Sequence, residues 1–161
     1  MKIILTFFII LLGFNGCNMK VSNILQKDEQ YITLMQYTRR GEIVNSFETI
    51  ALINVTYLNH ILKDKNITNE KFIIGVYNSN DYKGYKKGGI FNPDYNLTMN
   101  NQTFISAKKA DIIKLKNYPF YNKWMKYYEV EFPKSNSNNL VITYKNKKGS
   151  VTLNITKNLY K

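Results

Sequence analysis

Side chains able to act as nucleophiles, bases or metal ligands are few in this chain. It contains one histidine, His60, and one cysteine, Cys17, among 161 residues. Cysteine or serine nucleophiles need a histidine base, and structural zinc sites need several Cys or His ligands. His60 falls at the end of a predicted strand, a position that indicates a structural residue. The inventory therefore predicts a protein that is not an enzyme, with no cofactor and no metal site.

Glu129 and Glu131 are the one pair of carboxylates that the spacing brings together. They share a face of a predicted strand, where two carboxylates could serve glycoside hydrolysis. The chain has 23 Lys and Arg against 11 Asp and Glu. In so basic a protein we expect both glutamates to meet lysines on the neighbouring strand instead.

The single cysteine ends an apolar N-terminal segment. The apolar run Ile3–Leu12 is shorter than the about 20 residues that a transmembrane helix needs, and it suits a secretory signal. Gly16 directly before Cys17 resembles the lipobox of bacterial lipoproteins, although Phe14 and Asn15 depart from its consensus. The resemblance implies cleavage after residue 16, acyl chains such as palmitate on Cys17, and attachment to a membrane through that lipid. An ordinary cleaved signal and an apolar first strand with an incidental cysteine are the alternatives.

The same resemblance divides the chain. Residues 1–16 are the expected signal peptide, 17–30 the lipidated cysteine with a polar tether, and 31–161 one domain of ordinary size. Lipoproteins retained at the inner membrane carry aspartate after the cysteine. Asn18 at that position therefore favours the cell envelope at the outer membrane, on its periplasmic or its surface face.

Asparagine triplets offer a modification site. Two Asn-x-Thr triplets, at Asn66 and Asn96, also carry an acid two residues earlier, Asp64 and Asp94, and so resemble the extended bacterial N-glycosylation sequon. Both are expected in or beside loops, where a transferase has access. The other triplets lie within predicted strands or lack the upstream acid, and chance is the alternative for these two. Those other triplets begin at Asn54, Asn101 and Asn154.

A basic stretch with interleaved tyrosines is the candidate binding site. Lys83, Lys86 and Lys87 alternate with Tyr82 and Tyr85, so an anionic surface could be held by charge and stacking. The stretch lacks the Gly-Lys-Ser/Thr order of a phosphate-binding loop. With a net charge of +12, an anionic glycan or a protein is the expected partner, and nucleic acid is excluded for an exported protein. A merely solvated loop is the alternative.

Short runs with period-two alternation position these residues, and the composition of 13 Tyr and 9 Phe favours strands. Thr49–Leu58 is the clearest central strand, with Ala51, Ile53, Val55 and Tyr57 on one face; a helix over 47–62 is its rival. A bend is expected at Arg39–Gly41, and Gly149 is expected to adopt a left-handed conformation in a hairpin turn. The other expected strands are Tyr31–Tyr37, Glu42–Val44, Lys71–Tyr77, Asn96–Ile105, Asp111–Leu115, Trp124–Phe132, Leu140–Tyr144 and Val151–Thr156.

About seven to eight short strands without a βαβ unit predict a mainly β protein, an antiparallel β-sandwich. Trp124, Tyr128, Val130 and Phe132, followed by a hairpin, resemble the last strands of immunoglobulin-like domains. With its anchor, the chain resembles small bacterial surface lipoproteins with a variant immunoglobulin fold. The expected function is a lipid-anchored binding or adhesion module; a structural or accessory subunit of an envelope complex, docked through a sheet edge, is the alternative.

Overall fold

The structure is a computed structural model that describes residues 29, 31–62, 68–111, 115 and 118–158. Cys17 and Asn66 lie outside these residues. The chain divides into Met1–Ile32 and a compact unit, Thr33–Lys161, which carries all the strands described here. In the described part of the chain, no helix has the length and hydropathy to cross a bilayer.

The described residues form eight antiparallel strands in two sheets, which confirms the mainly β sandwich. One sheet has the order β1-β2-β3-β6-β5 and the other the order β4-β7-β8. The first three strands form a meander in one sheet, whereas immunoglobulin constant-type domains place the second and third in opposite sheets. The strands are β1 Thr38–Asn45, β2 Glu48–Tyr57, β3 Glu70–Asn78, β4 Asn96–Met99, β5 Ser106–Lys109, β6 Lys126–Phe132, β7 Asn139–Asn146 and β8 Gly149–Thr156.

The core lies between the sheets because alternate residues of each strand point inward. Ile53, Val55 and Tyr57 of β2 are buried as the alternation predicts, and so are Tyr128 and Phe132 of β6. Side chains of β7 and β8 complete this cluster from the second sheet. The outer face of the five-stranded sheet carries a smaller apolar cluster. The central strand is therefore covered on both faces, as expected.

The first predicted strand, Tyr31–Tyr37, is wrong: residues 31–36 are helical. Leu34 and Tyr37 are buried three residues apart, which is a helical spacing, while Met35 between them is 39% exposed. The Thr38 hydroxyl donates to the Leu34 carbonyl at 2.7 Å, so a carbonyl left free at the helix end has a partner. The burial of Leu34 and Tyr37 in the folded protein therefore outweighs the short β-like pattern of residues 31–37.

Arg39–Gly41 continues β1 without the predicted bend, and the irregularity lies at Ile43/Val44. Glu48–Tyr57 is a strand, as favoured over a helix, and a helical turn follows only at Asn59–Leu62. His60 therefore lies in that turn and not at a strand end. It stacks on the Tyr37 ring, with centroids 4.6 Å apart.

The strand expected at Asp111–Leu115 is also wrong, because Asp111 is irregular and Leu115 helical. Ser106–Lys109, where no strand was predicted, is β5. The residues of β5 have poor β propensity. However, β5 is an edge strand, and its Lys108 pairs with Glu129 of β6. The strand expected over Asn96–Ile105 ends at Met99.

The β7–β8 hairpin has a shorter turn than expected, because both strands extend until Asn146 pairs with Gly149. The Asn146 side-chain oxygen accepts from the Lys148 and Gly149 backbone N–H groups at 2.8 and 3.0 Å. Gly149 does not have positive φ, so its predicted left-handed conformation is wrong. The hydrogen bonds that the Asn146 side chain accepts shape this turn instead.

A buried carboxylate joins the two sheets at one end of the sandwich. Glu70 of β3 is 2% exposed and accepts from the Tyr57 hydroxyl at 2.8 Å and from the Ser135 backbone N–H at 3.0 Å. Asn59 donates to it at 3.2 Å, and the Lys157 ammonium, just after β8, pairs with it. Burial, with the hydrogen bond to Glu70, raises the pKa of Tyr57 above its usual value.

Candidate functional site

The predicted basic stretch lies in the connection between β3 and β4, at the end of the sandwich where β3 ends. Lys83, Lys86 and Lys87 are all exposed. Among the described residues, none of these three ammonium groups is within ion-pair distance of a carboxylate. We call Lys83–Lys87 the basic loop.

Asp81 organises the chain on both sides of the basic loop. Its carboxylate oxygens accept from the Gly89 backbone N–H at 2.9 and 3.0 Å, and from the Tyr82 N–H at 3.0 Å. The Lys126 ammonium, from the first residue of β6, lies 2.6 Å away. Burial opposes ionisation of Asp81, but the bonds from Lys126 and Gly89 outweigh it and hold the pKa of the carboxyl below its usual value. Asp81 is therefore a charged residue that holds the two ends of the loop together and joins them to β6.

Two adjacent glycines let the loop pack this tightly. A Cβ on Gly88 would lie 2.3 Å from the Lys126 ammonium and from the Tyr82 carbonyl oxygen. Gly89 has a φ of +63°, and a Cβ there would lie 2.2 Å from the Tyr128 hydroxyl oxygen. Any larger residue would force the loop off the sheet end, because one contacted group is backbone and the other is a buried ring.

Buried polar groups fix the base of the loop to both sheets. The Tyr128 hydroxyl, from β6, donates to the Gly88 carbonyl at 2.9 Å. The Tyr144 hydroxyl, from β7, donates to the Asn78 side-chain oxygen at 2.8 Å, and Asn78 donates to the Gly89 carbonyl at 3.1 Å. Burial raises the pKa of both tyrosines, so both stay neutral donors. The base of the loop is thus anchored to both sheets before any ligand arrives, which lowers the entropic cost of binding.

Tyr85 does not take the role that the sequence predicted for it. Its ring is half-buried and packs edge-on against Tyr128, with centroids 5.3 Å apart. The Lys109 ammonium lies 4.7 Å from the ring centroid. Tyr85 is therefore an anchor of the loop, and Tyr82, which is 47% exposed, is the tyrosine free to stack on a ligand.

An open groove of about 340 Å³ lies beside the basic loop. Three partly exposed aromatic residues line it: Tyr77 at 37%, Tyr82 at 47% and Trp124 at 72%. Lys83 and the Asp81–Lys126 pair provide its charged groups. We call this the aromatic groove. Such a groove can receive a ligand that combines a flat apolar face with polar or anionic groups.

The sequence interpretation did not identify Trp124 and Lys126 as residues of the site. The sequence placed Trp124 in a strand, on the same face as Tyr128 and Phe132, but β6 begins only at Lys126 and the indole is exposed. The polar residues Asn122 and Lys123 directly before it were the available signal, because such residues are typical of a loop. No sequence signal linked Lys126 to Asp81.

The two glutamates of β6 behave as predicted. Glu129 lies 2.8 Å from the Lys108 ammonium, and Glu131 lies 3.7 Å from that of Lys71. Each carboxylate therefore has a cation on an adjacent strand. Within the described ranges, no three His, Cys, Asp or Glu side chains gather as metal ligands.

Asn96 is the one candidate glycosylation site among the described residues. It is exposed, and as the first residue of β4 it pairs with Lys145, so it lies beside a loop, as predicted. β4 is an edge strand of its sheet. Asn54 and Asn154 lie in β2 and β8, as predicted.

Comparison of the chain with protein-family models, with curated proteins and with solved structures finds no match.

Proposed function

We propose that this protein is a lipid-anchored, non-enzymatic binding or adhesion module of the bacterial envelope. Residues 1–16 are the signal peptide that is cleaved off, the lipid on Cys17 attaches the protein to the outer membrane, and residues 18–30 serve as the tether. The basic loop is the part that contacts an anionic partner. Lys83, Lys86 and Lys87 are exposed cations on an anchored loop, with no ion-pair partner in the part of the chain that the structure describes, and this observation carries the proposal.

Electrostatics supports an anionic partner over a neutral one. Unpaired lysines on a preorganised loop concentrate positive potential, which raises the association rate with polyanions. Of the other lysines near the loop, Lys126 is neutralised by Asp81, and Lys109 lies over the Tyr85 ring. The attraction is screened beyond about 8–10 Å at physiological ionic strength, so the partner must approach the loop itself.

Retention on immobilised heparin tests the proposal, with neutral dextran as the reference matrix. The triple variant Lys83→Gln, Lys86→Gln, Lys87→Gln should elute at clearly lower salt than the unaltered full-length protein in detergent. The control is Lys145→Gln, Lys147→Gln, Lys148→Gln, which removes the same charge from exposed positions in and beside the β7–β8 turn. Equal loss in both triple variants would mean that net charge, and not the loop, governs binding.

A structural or accessory subunit of an envelope complex is the second candidate. Docking by strand addition would need an open sheet edge, and β4 and β5 are edges of only four residues each. The other two edge strands, β1 and β8, have eight residues each and lie against one another, with Gly41 beside Val151. Lys108 and Lys109 on β5 further disfavour edge pairing. Co-purification of envelope proteins with the intact lipoprotein, at fixed stoichiometry, would favour this candidate over a solitary binding module.

A further inference from the structure

The aromatic groove is assembled from two segments that are distant in sequence. Tyr77 is the penultimate residue of β3 and Tyr82 directly precedes the basic loop, whereas Trp124 lies just before β6. The pairing of Val76 with Lys126 brings the start of β6 beside the end of β3, so Trp124 reaches the same groove. Three partly exposed aromatic side chains lie around one concavity. Such a cluster of exposed apolar groups is typical of a ligand-binding groove.

The backbone that carries two of the aromatic side chains is anchored by hydrogen bonds. The Trp124 backbone N–H donates to the Asn122 side-chain oxygen at 3.0 Å. The Tyr82 N–H donates to Asp81, and the Tyr82 carbonyl accepts from Lys126 at 2.6 Å. The Lys123 ammonium lies 5.0 Å from the Trp124 ring centroid, and Lys123 does not line the groove. A ligand therefore does not have to order the backbone on either side of the groove.

The polar groups of the groove indicate the chemistry of that ligand. Asp81 and Lys126 neutralise each other, so Lys83 leaves the groove with an excess positive charge. A wholly apolar ligand would desolvate this ion pair without replacing its water. A small inorganic anion would not use the aromatic rings. A sugar ring has an apolar C–H face and a hydroxyl edge, and an acidic sugar adds a carboxylate for the lysine.

We propose that the aromatic groove binds a terminal pyranose ring of an acidic glycan. The apolar face of the sugar lies on Tyr82 and Trp124, and its carboxylate pairs with Lys83. The groove volume of about 340 Å³ is at the lower end of the range for small-ligand sites, about 300–1,000 Å³, which suits one or two rings of a longer chain. This inference rests on the proposed function and names its ligand class.

Intrinsic fluorescence tests the proposal directly, because Trp124 is the only tryptophan in the sequence. The full-length protein in detergent is titrated with a tetrasaccharide of alternating glucuronic acid and N-acetylglucosamine. A saturable change in emission is expected, and Tyr82→Ala should weaken the affinity by about ten-fold, from lost ring contact. Phe47→Ala is the matched control, since Phe47 is a fully exposed aromatic in the β1–β2 turn; it should leave the affinity unchanged.

The charge component is tested separately. Lys83→Gln should weaken binding of the acidic tetrasaccharide, whereas Lys87→Gln, on the same loop but outside the groove, should weaken it far less. An equal response to cellotetraose, a neutral sugar, would overturn the acidic preference. Absence of any emission change, with heparin retention still dependent on the three loop lysines, would overturn the groove as a sugar site and leave the proposed function intact. Heparin retention that does not depend on those lysines would overturn the proposed function instead.

Discussion

Lys157→Met should strongly destabilise the sandwich, because it removes the cation that pairs with buried Glu70. Among the described residues, Lys157 is the one cation in ion-pair contact with this carboxylate. Glu70 is 2% exposed, so water cannot replace the lost ammonium. Methionine keeps the apolar stem of the lysine as far as Cε, and the change therefore removes the ammonium with its contacts to Glu70 and to the Ser135 carbonyl.

The magnitude follows from the contacts that remain. Removing one partner of a buried ion pair costs about 3–5 kcal/mol, since the other charge is left uncompensated. The Tyr57 hydroxyl, the Asn59 amide and the Ser135 backbone N–H still donate to Glu70. Hydrogen bonds to a charged group contribute about 1.5–3 kcal/mol each, so we expect the lower end, about 3 kcal/mol. The free energy of unfolding for a domain of this size is about 5–15 kcal/mol, and the variant should still fold.

Urea unfolding followed by far-UV circular dichroism measures the effect. With an m-value of about 2 kcal/mol/M, a loss of about 3 kcal/mol lowers the midpoint by about 1.5 M. Lys148→Met, an exposed lysine of the β7–β8 turn, should change stability by less than about 0.5 kcal/mol. The double variant Glu70→Gln, Lys157→Met should be more stable than Lys157→Met alone, because no buried charge is left. A loss below about 1 kcal/mol in Lys157→Met, or a double variant no better than that single one, would refute the reasoning.

Three further predictions concern attachment, modification and alkaline stability. Cys17→Ala should be exported but released from membranes by a high-salt wash, and retention after the wash would show that the lipid is not the attachment. In a host whose oligosaccharyltransferase requires the upstream acid, intact-mass measurement should find glycan at Asn66 and Asn96 alone, lost in Asp64→Ala and Asp94→Ala; glycan at a residue within β2 or β8 would contradict this. Above about pH 10 the urea midpoint should fall, because burial raises the folded-state pKa of three tyrosines and only the unfolded chain then loses their protons. Each such tyrosine lowers the free energy of unfolding by up to about 1.4 kcal/mol per pH unit. A midpoint constant to pH 11 would contradict the assignment of these residues, Tyr57, Tyr128 and Tyr144, as protonated core groups.

Local alternation sufficed for the strands that face the core. Ile53, Val55 and Tyr57 recur at period two, and that period is a property of the extended backbone itself, independent of what the strand pairs with. The same reasoning failed for Ser106–Lys109, whose composition carries no such signal. Its pairing with β6 supplies the hydrogen bonds and the Lys108–Glu129 contact that its own propensity does not.

The candidate site divides in the same way. The sequence by itself determined that Lys83, Lys86 and Lys87 form a polar loop between strands, because an uninterrupted run of glycines, asparagines and charges is unfavourable in a packed sheet. Only the tertiary structure decided that Asp81 meets Lys126, that Tyr85 turns inward, and that Trp124 joins the groove. Such contacts depend on the register of β3 against β6 and on how the loop folds over the sheet end. Register is set by the burial of whole strands, and no short stretch of residues contains that information.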